Sequence, residues 1–92
     1  MSDAQDTPEQ LLQFPCSFPV KMMGRDDAGF RDVVVAIVER HAGSIADHAI
    51  RVAPSSTGKF VSVTITIDAE SQQQLDNIYR ELTEHEDVLV AL

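Results

Sequence analysis

The chain predicts an α+β domain, a four-stranded antiparallel sheet with two helices on one face, in the order β-α-β-β-α-β. Three observations carry that prediction. Val61, Val63, Ile65 and Ile67 alternate with Ser62, Thr64 and Thr66, a period of two built from residues that favour extended backbone. Phe30, Val33, Val34, Ile37, Val38 and His41 recur at helical spacing, and Leu75, Ile78, Tyr79 and Leu82 do so again downstream. Ser55, Ser56, Thr57 and Gly58 precede the alternating run with turn chemistry, which makes that run the second arm of a hairpin.

Taken in order, residues 1–10 are expected to be a flexible acidic tail and residues 11–92 a single domain. Within the tail, Thr7, Pro8 and Gln10 read as an N-cap, a first-turn proline and a capping-box glutamine, enough for one turn. Leu11, Leu12 and Phe14 would clip the tail to the body. The first strand is predicted over 18–23, with Phe18, Val20 and Met22 inward, Lys21 and Met23 outward, and Gly24 ending it. Asp26 or Asp27 would cap the first helix. Gly43 stands where a left-handed terminator belongs, and Arg40 and His41 suit the negative helix end. Residues 44–49 read as a loop and 50–53 as a short strand, which Pro54 marks as an edge. Ser71 with Gln74 forms a second capping box, and residues 87–92 close the chain as a strand. Right-handed crossovers put the first and third strands in the centre, which is the ferredoxin-like arrangement.

Ninety-two residues carry a formal charge of −8, with acids dispersed along the chain. Such a balance repels phosphate backbones and anionic lipid and serves solubility. Cys16 is the only cysteine, so no internal disulfide forms and a reducing compartment fits. The polar, acidic start is unlike a secretory signal, and the apolar run Val33 to Val38 is too short to span a bilayer. The expectation is a soluble cytoplasmic protein.

Strand alternation assigns Lys21, Met23, Arg51, Ala53, Ser62, Thr64, Thr66, Leu89 and Ala91 to the open sheet face. RNA-binding domains of this topology need exposed aromatic rings on the central strands, and no ring is assigned there; with the acidic charge, nucleic acid is not an expected partner. The face could receive a partner chain, although a solvated threonine face accounts for the same residues. Ser55, Ser56 and Thr57 with Gly58, and Lys59 nearby, could present hydroxyls and N–H groups to a small anion; ordinary hairpin chemistry explains them as well. A phosphate loop is excluded, because a strand and not a helix follows Gly58. Lys21 on a central strand must snorkel or meet an acid, and beside Gly24 it is a candidate ligand contact. Ser62 completes the candidates.

His41, His48 and His85 have no metal-spaced partners, and Cys16 has no adjacent base. Glu84, Glu86 and Asp87 are explained by a solvated turn. No catalytic residue, metal or cofactor is therefore assigned.

The motifs Leu12-x-Phe14-Pro15, Lys21-x-Met23-Gly24, Arg40-His41, Ser55-Ser56-x-Gly58, Ser62-Val63-Thr64 and Leu75-x-x-Ile78-Tyr79-x-x-Leu82 resemble, in order, the small bacterial YbeD-like family. The resemblance covers about residues 11–92. It implies a ferredoxin-like fold similar to the ACT-type regulatory domains of amino-acid biosynthetic enzymes, which bind small effectors and pair through sheets or helices. By that resemblance, Gly24 sits where ACT-type domains bring a loop against an effector. The expectation is a non-enzymatic regulatory domain binding a small metabolite. The alternative is an adaptor module that meets a protein partner, or a second copy in a homodimer, through its open sheet face.

Overall fold

The structure is a computed structural model that describes residues 13–25 and 29–92. The expected turn at Thr7–Gln10, the clip by Leu11 and Leu12, and the caps offered by Asp26 and Asp27 lie outside the described residues. The elements run β1 (Cys16–Arg25), α1 (Phe30–Ala42), a 3₁₀ turn (Asp47–Ala49), β2 (Ile50–Pro54), β3 (Phe60–Ala69), α2 (Gln72–Glu84) and β4 (Val88–Ala91). The sheet order is β2-β3-β1-β4 with every neighbouring pair antiparallel, the ferredoxin-like α+β topology that the helix and strand periodicities predict.

The two central strands are the long ones. β1 and β3 pair along their whole length, from Cys16 opposite Ala69 to Arg25 opposite Phe60. Val61, Val63, Ile65, Ile67 and Ala69 are buried while the residues between them are not, so the period of two becomes one wet and one dry face. Val20 and Met22 pack against them from β1. Val34, Ile37 and Val38 of α1 and Leu75, Ile78 and Leu82 of α2 close the core from above. Three consecutive valines stay helical here because this stripe meets a ready apolar sheet, and burial outweighs the small propensity cost of β-branching.

Gly24 does not end the first strand; pairing continues through Arg25. Its glycine identity answers a packing need. A Cβ at Gly24 would lie 2.3 Å from the Phe30 ring and 2.6 Å from the Asp87 carbonyl oxygen, so only a bare backbone lets helix and strand approach this closely.

Pro19 inside a central strand is tolerated for a related reason. The Lys21 N–H and C=O both bond Leu92, at 3.4 and 2.7 Å, so odd-numbered residues of β1 turn their backbone groups toward β4. Pro19 belongs to that set, at a position β4 does not reach, and its missing N–H costs no ladder bond.

β4 departs from the expected alternation. Met22 faces Ala91 and Met23 faces Val90, but Gly24 faces Val88, so a bulge inserts Leu89 as the extra residue. Ala91 therefore packs on the helix side and Val90 takes its place on the open face.

The helix ends differ in detail from the predicted caps. Gly29, at φ +103°, occupies the N-cap of α1, and its carbonyl accepts from Val33 N–H at 2.9 Å. Gly43 (φ +80°) ends that helix with its N–H on the Glu39 carbonyl, as its sequence position predicts. At α2, Ser71 Oγ accepts from Gln74 N–H at 3.1 Å. The return bond falls one residue early, with Glu70 N–H donating to Gln74 Oε1 at 2.7 Å. The other end of the same amide donates to the His41 carbonyl at 3.0 Å, tying the start of α2 to the end of α1.

Candidate functional site

β1 presents a concavity on each side of the sheet. At its C-terminal end, on the helix side, lies a pocket of about 170 Å³ lined by Arg25, Gly29, Phe30, Val33, Glu86, Asp87 and Leu89. Three accidents of local structure shape it. Gly24 admits the Phe30 ring, the turn before β4 brings Glu86 and Asp87 alongside, and the bulge turns Leu89 into the rim. Arg25, Glu86 and Asp87 stand around a partly apolar wall, and Arg25 forms no ion pair with either acid among the described residues.

On the open face, a groove of about 320 Å³ is lined by Pro19, Lys21, His48, Ala49, Arg51, Thr64 and Thr66. Lys21, Thr64 and Arg51 occupy one row across three strands, Thr64 facing Lys21 on one side and Arg51 on the other. His48 reaches the groove from the 3₁₀ turn between α1 and β2. A wider, shallow concavity adjoins it where the segment after α1 meets the end of β3.

The candidate residues separate into three places. Lys21 and Ser62 share the open face, as alternation requires, while Gly24 is buried on the opposite side. Ser55, Ser56 and Gly58 lie in the β2–β3 turn, at the Arg25 end of the sheet. The turn spends its polar groups on itself. Phe60 N–H donates to Ser55 Oγ at 3.2 Å, Ser55 and Thr57 hydroxyls share a bond of 3.2 Å, and Gly58, at φ +76°, donates its N–H to the Ser55 carbonyl. Ser62 Oγ donates to the Ala53 carbonyl at 3.4 Å.

Several features escaped the sequence reading. A ring does stand on the open face: Phe60, opposite Arg25, is 37 % exposed and pairs on the even-numbered side of β3. Its alternation with Val61 was the available signal. Glu81 was also missed. It binds Arg40 and lies 2.8 Å from His41 Nε2, so the two basic residues serve a helix–helix contact as well as the helix end. Tyr79, half-buried, donates its hydroxyl to the Leu92 main-chain oxygen, and burial pushes its pKa up. Cys16 lies half-buried at the start of β1, opposite Ala69. No three of His, Cys, Asp and Glu come together among the described residues, and no described helix is long and apolar enough to cross a membrane.

Fold and concavities define a small ferredoxin-like α+β domain with a mixed-charge pocket under one end of its first strand and a basic groove on its open sheet. The chain belongs to the family described as "Protein of unknown function (DUF493)", which its residues 9–92 match. It is 43 % identical over 88 residues to a UPF0250 protein of Neisseria gonorrhoeae, covering 96 % of this chain and 97 % of the relative. A UPF0250 protein of Nitrosomonas europaea is 40 % identical over 86 residues, covering 94 % and 99 %. One from Paraburkholderia phytofirmans is 39 % identical over 84 residues, covering 91 % and 94 %. These similarities support the resemblance to the small bacterial YbeD-like proteins.

Proposed function

We propose that the protein is a non-enzymatic, cytoplasmic regulatory domain that binds a small metabolite in the pocket at the end of β1. The observation that carries this reading is the lining of that pocket, in which Arg25 stands with Glu86 and Asp87 around Phe30, Val33 and Leu89. A guanidinium suits a carboxylate, acids suit an ammonium, and the apolar wall suits a short side chain, so the pocket fits a small zwitterion. The likeness of the fold to ACT-type domains, which set an effector against the loop after their first strand, supports the same place. Titrating the ¹⁵N-labelled chain with amino acids and small carboxylates tests it. Saturable shifts at Gly24, Arg25, Val33 and Leu89, with Ser56 and Gly58 unmoved, are expected. Arg25→Gln should weaken binding about tenfold by removing a charge-assisted bond. If no compound in the panel moves those amides, the reading is lost.

A second reading, an adaptor working through the open sheet, is favoured by one observation. Met23 (40 % exposed), Phe60, Val90 (43 %) and Leu92 (70 %) form an apolar strip across β3, β1 and the β4 edge. Such a strip suits a second copy or a partner strand. Sedimentation showing a dimer that Phe60→Ser reduces to monomer supports it, and a monomer at every concentration removes the homodimer.

A further inference from the structure

The chain has 15 acids and seven bases, so two cations sharing a groove that no acid lines stand out. The sheet's open face reverses the charge of the whole molecule: Lys21 and Arg51 are on it, against Asp68. Among the described residues Arg31 meets Asp32 and Asp47 and Arg40 meets Glu81, while Arg25, Lys59 and Arg80 form no ion pair. Lys21 and Arg51 form no ion pair among the described residues, and no acid lines the groove they share.

Their register gives that segregation a shape. With neighbouring strands about 4.8 Å apart, the backbones of Lys21 and Arg51 stand about 10 Å from each other with Thr64 between them. Two long cationic side chains rising from the flanks of one hydroxyl can converge on an anion seated above it. Thr66 adds a second hydroxyl two residues along the same face, and His48 approaches from outside the sheet. Donors thus arrive from β1, β2, β3 and the 3₁₀ turn. A planar carboxylate is satisfied by one guanidinium fork; donors converging from several directions match the three or four oxygens of a tetrahedral oxyanion.

We propose that this groove is a binding site for a phosphoryl group, carried by a small phosphate ester or as free phosphate, with Lys21 and Arg51 supplying the charge and Thr64 and Thr66 the neutral donors. It lies on the opposite side of the sheet from the pocket at the end of β1 and does not rest on the metabolite reading. Overall charge does not oppose it: over the roughly 10 Å reach of unscreened charge, an anion at the groove meets this local cluster first.

The test is titration of the full ¹⁵N-labelled chain with inorganic phosphate at a constant ionic strength of about 0.1 M. Saturable shifts at Lys21, His48, Arg51, Thr64 and Thr66 are expected, with the Arg25, Val33 and Leu89 amides unmoved, which separates this site from the other pocket. Lys21→Gln and Arg51→Gln should each weaken binding about tenfold, the scale of one charge-assisted contact. Lys59→Gln, in the hairpin turn, should leave it unchanged. All three residues are exposed, and unaltered thermal melts establish that each variant is folded. Glycerol phosphate binding more tightly than free phosphate identifies an ester as the source, and the reverse order identifies the free ion. Three outcomes overturn the proposal: shifts that sodium chloride reproduces, acetate binding as tightly as phosphate, or saturable binding of a single-stranded oligonucleotide where inorganic phosphate shows none.

Discussion

Gly24 and Tyr79 show how single side chains, or the lack of one, set the limits of this small domain. At Gly24 a methyl group would meet an aromatic ring and a main-chain carbonyl, both held in place by their own elements. Neither can withdraw cheaply, so Gly24→Ala should destabilise the protein by about 2–3 kcal/mol, the upper range for overpacking a core. Chemical denaturation measures it; a loss below about 0.5 kcal/mol would show that Phe30 and the turn at Asp87 yield freely. Tyr79 poses a titration problem. Burial disfavours its phenolate, so its pKa in the folded chain is raised above the ordinary value of about 10. A raised pKa means the folded state holds its proton longer than the unfolded chain. Stability from this residue is therefore fully present below about pH 10 and is lost as pH rises through the higher folded value. Tyr79→Phe should lower stability at neutral pH by about 1 kcal/mol, through loss of the bond to Leu92, and should flatten the alkaline decline. An alkaline slope identical in both proteins would assign that decline to another group.

At the scale of elements, the two helices are joined by polar as well as apolar contacts, and the polar ones cluster at one place. Glu81 engages Arg40 and His41, while the Gln74 amide spans from Glu70 N–H to the His41 carbonyl. The end of α1 is thus held from two points on α2 about two turns apart. Glu81→Ala should cost about 1 kcal/mol, since the three side chains remain partly solvated and exposed ion pairs are individually weak. Combining it with Gln74→Ala should exceed the sum of the single effects, because either contact alone still positions His41. Strictly additive losses in the double-mutant cycle would separate the two contacts. These details also mark how far the sequence could be read. The stripes on α1 and α2 and the alternation of β3 were legible because burial acts on whole faces, and periodicity reports faces directly. The bulge at Leu89 was not. It inserts one residue in a four-residue strand, too short for a period to establish itself, and it moved Ala91 to the core side and Val90 to the open one. In the sequence Gly24 reads as a strand terminator because the usual meaning of glycine is a break; its actual role, close approach of Phe30, exists only once helix and strand are docked. The same holds for the site. Lys21 and Ser62 were placed on the correct face by alternation, whereas the row Lys21–Thr64–Arg51 needs the register of three strands, which no local pattern encodes.

For the molecule as a whole, the decisive property is an uneven charge. A net −8 over 92 residues means that the acids on helices and loops repel one another across most of the surface, while the open sheet carries the opposite sign. The two faces should therefore respond to salt in opposite ways. Screening relieves repulsion among Asp32, Glu39, Asp76, Glu84 and their neighbours, and the few ion pairs are too exposed to lose much in exchange. Raising sodium chloride from about 0.01 M to about 0.15 M contracts the reach of these charges from roughly 30 Å to roughly 8 Å, so the melting temperature of the free protein should rise. Binding of an anion in the Lys21–Arg51 groove should weaken over the same interval, because there the salt screens an attraction. Opposite signs from one protein in one buffer series are the signature of segregated charge; a dispersed charge pattern would move both measurements only through the net −8, and anion affinity would then rise with salt. A falling melting temperature would instead give the leading electrostatic role to ion pairs such as Arg40 with Glu81.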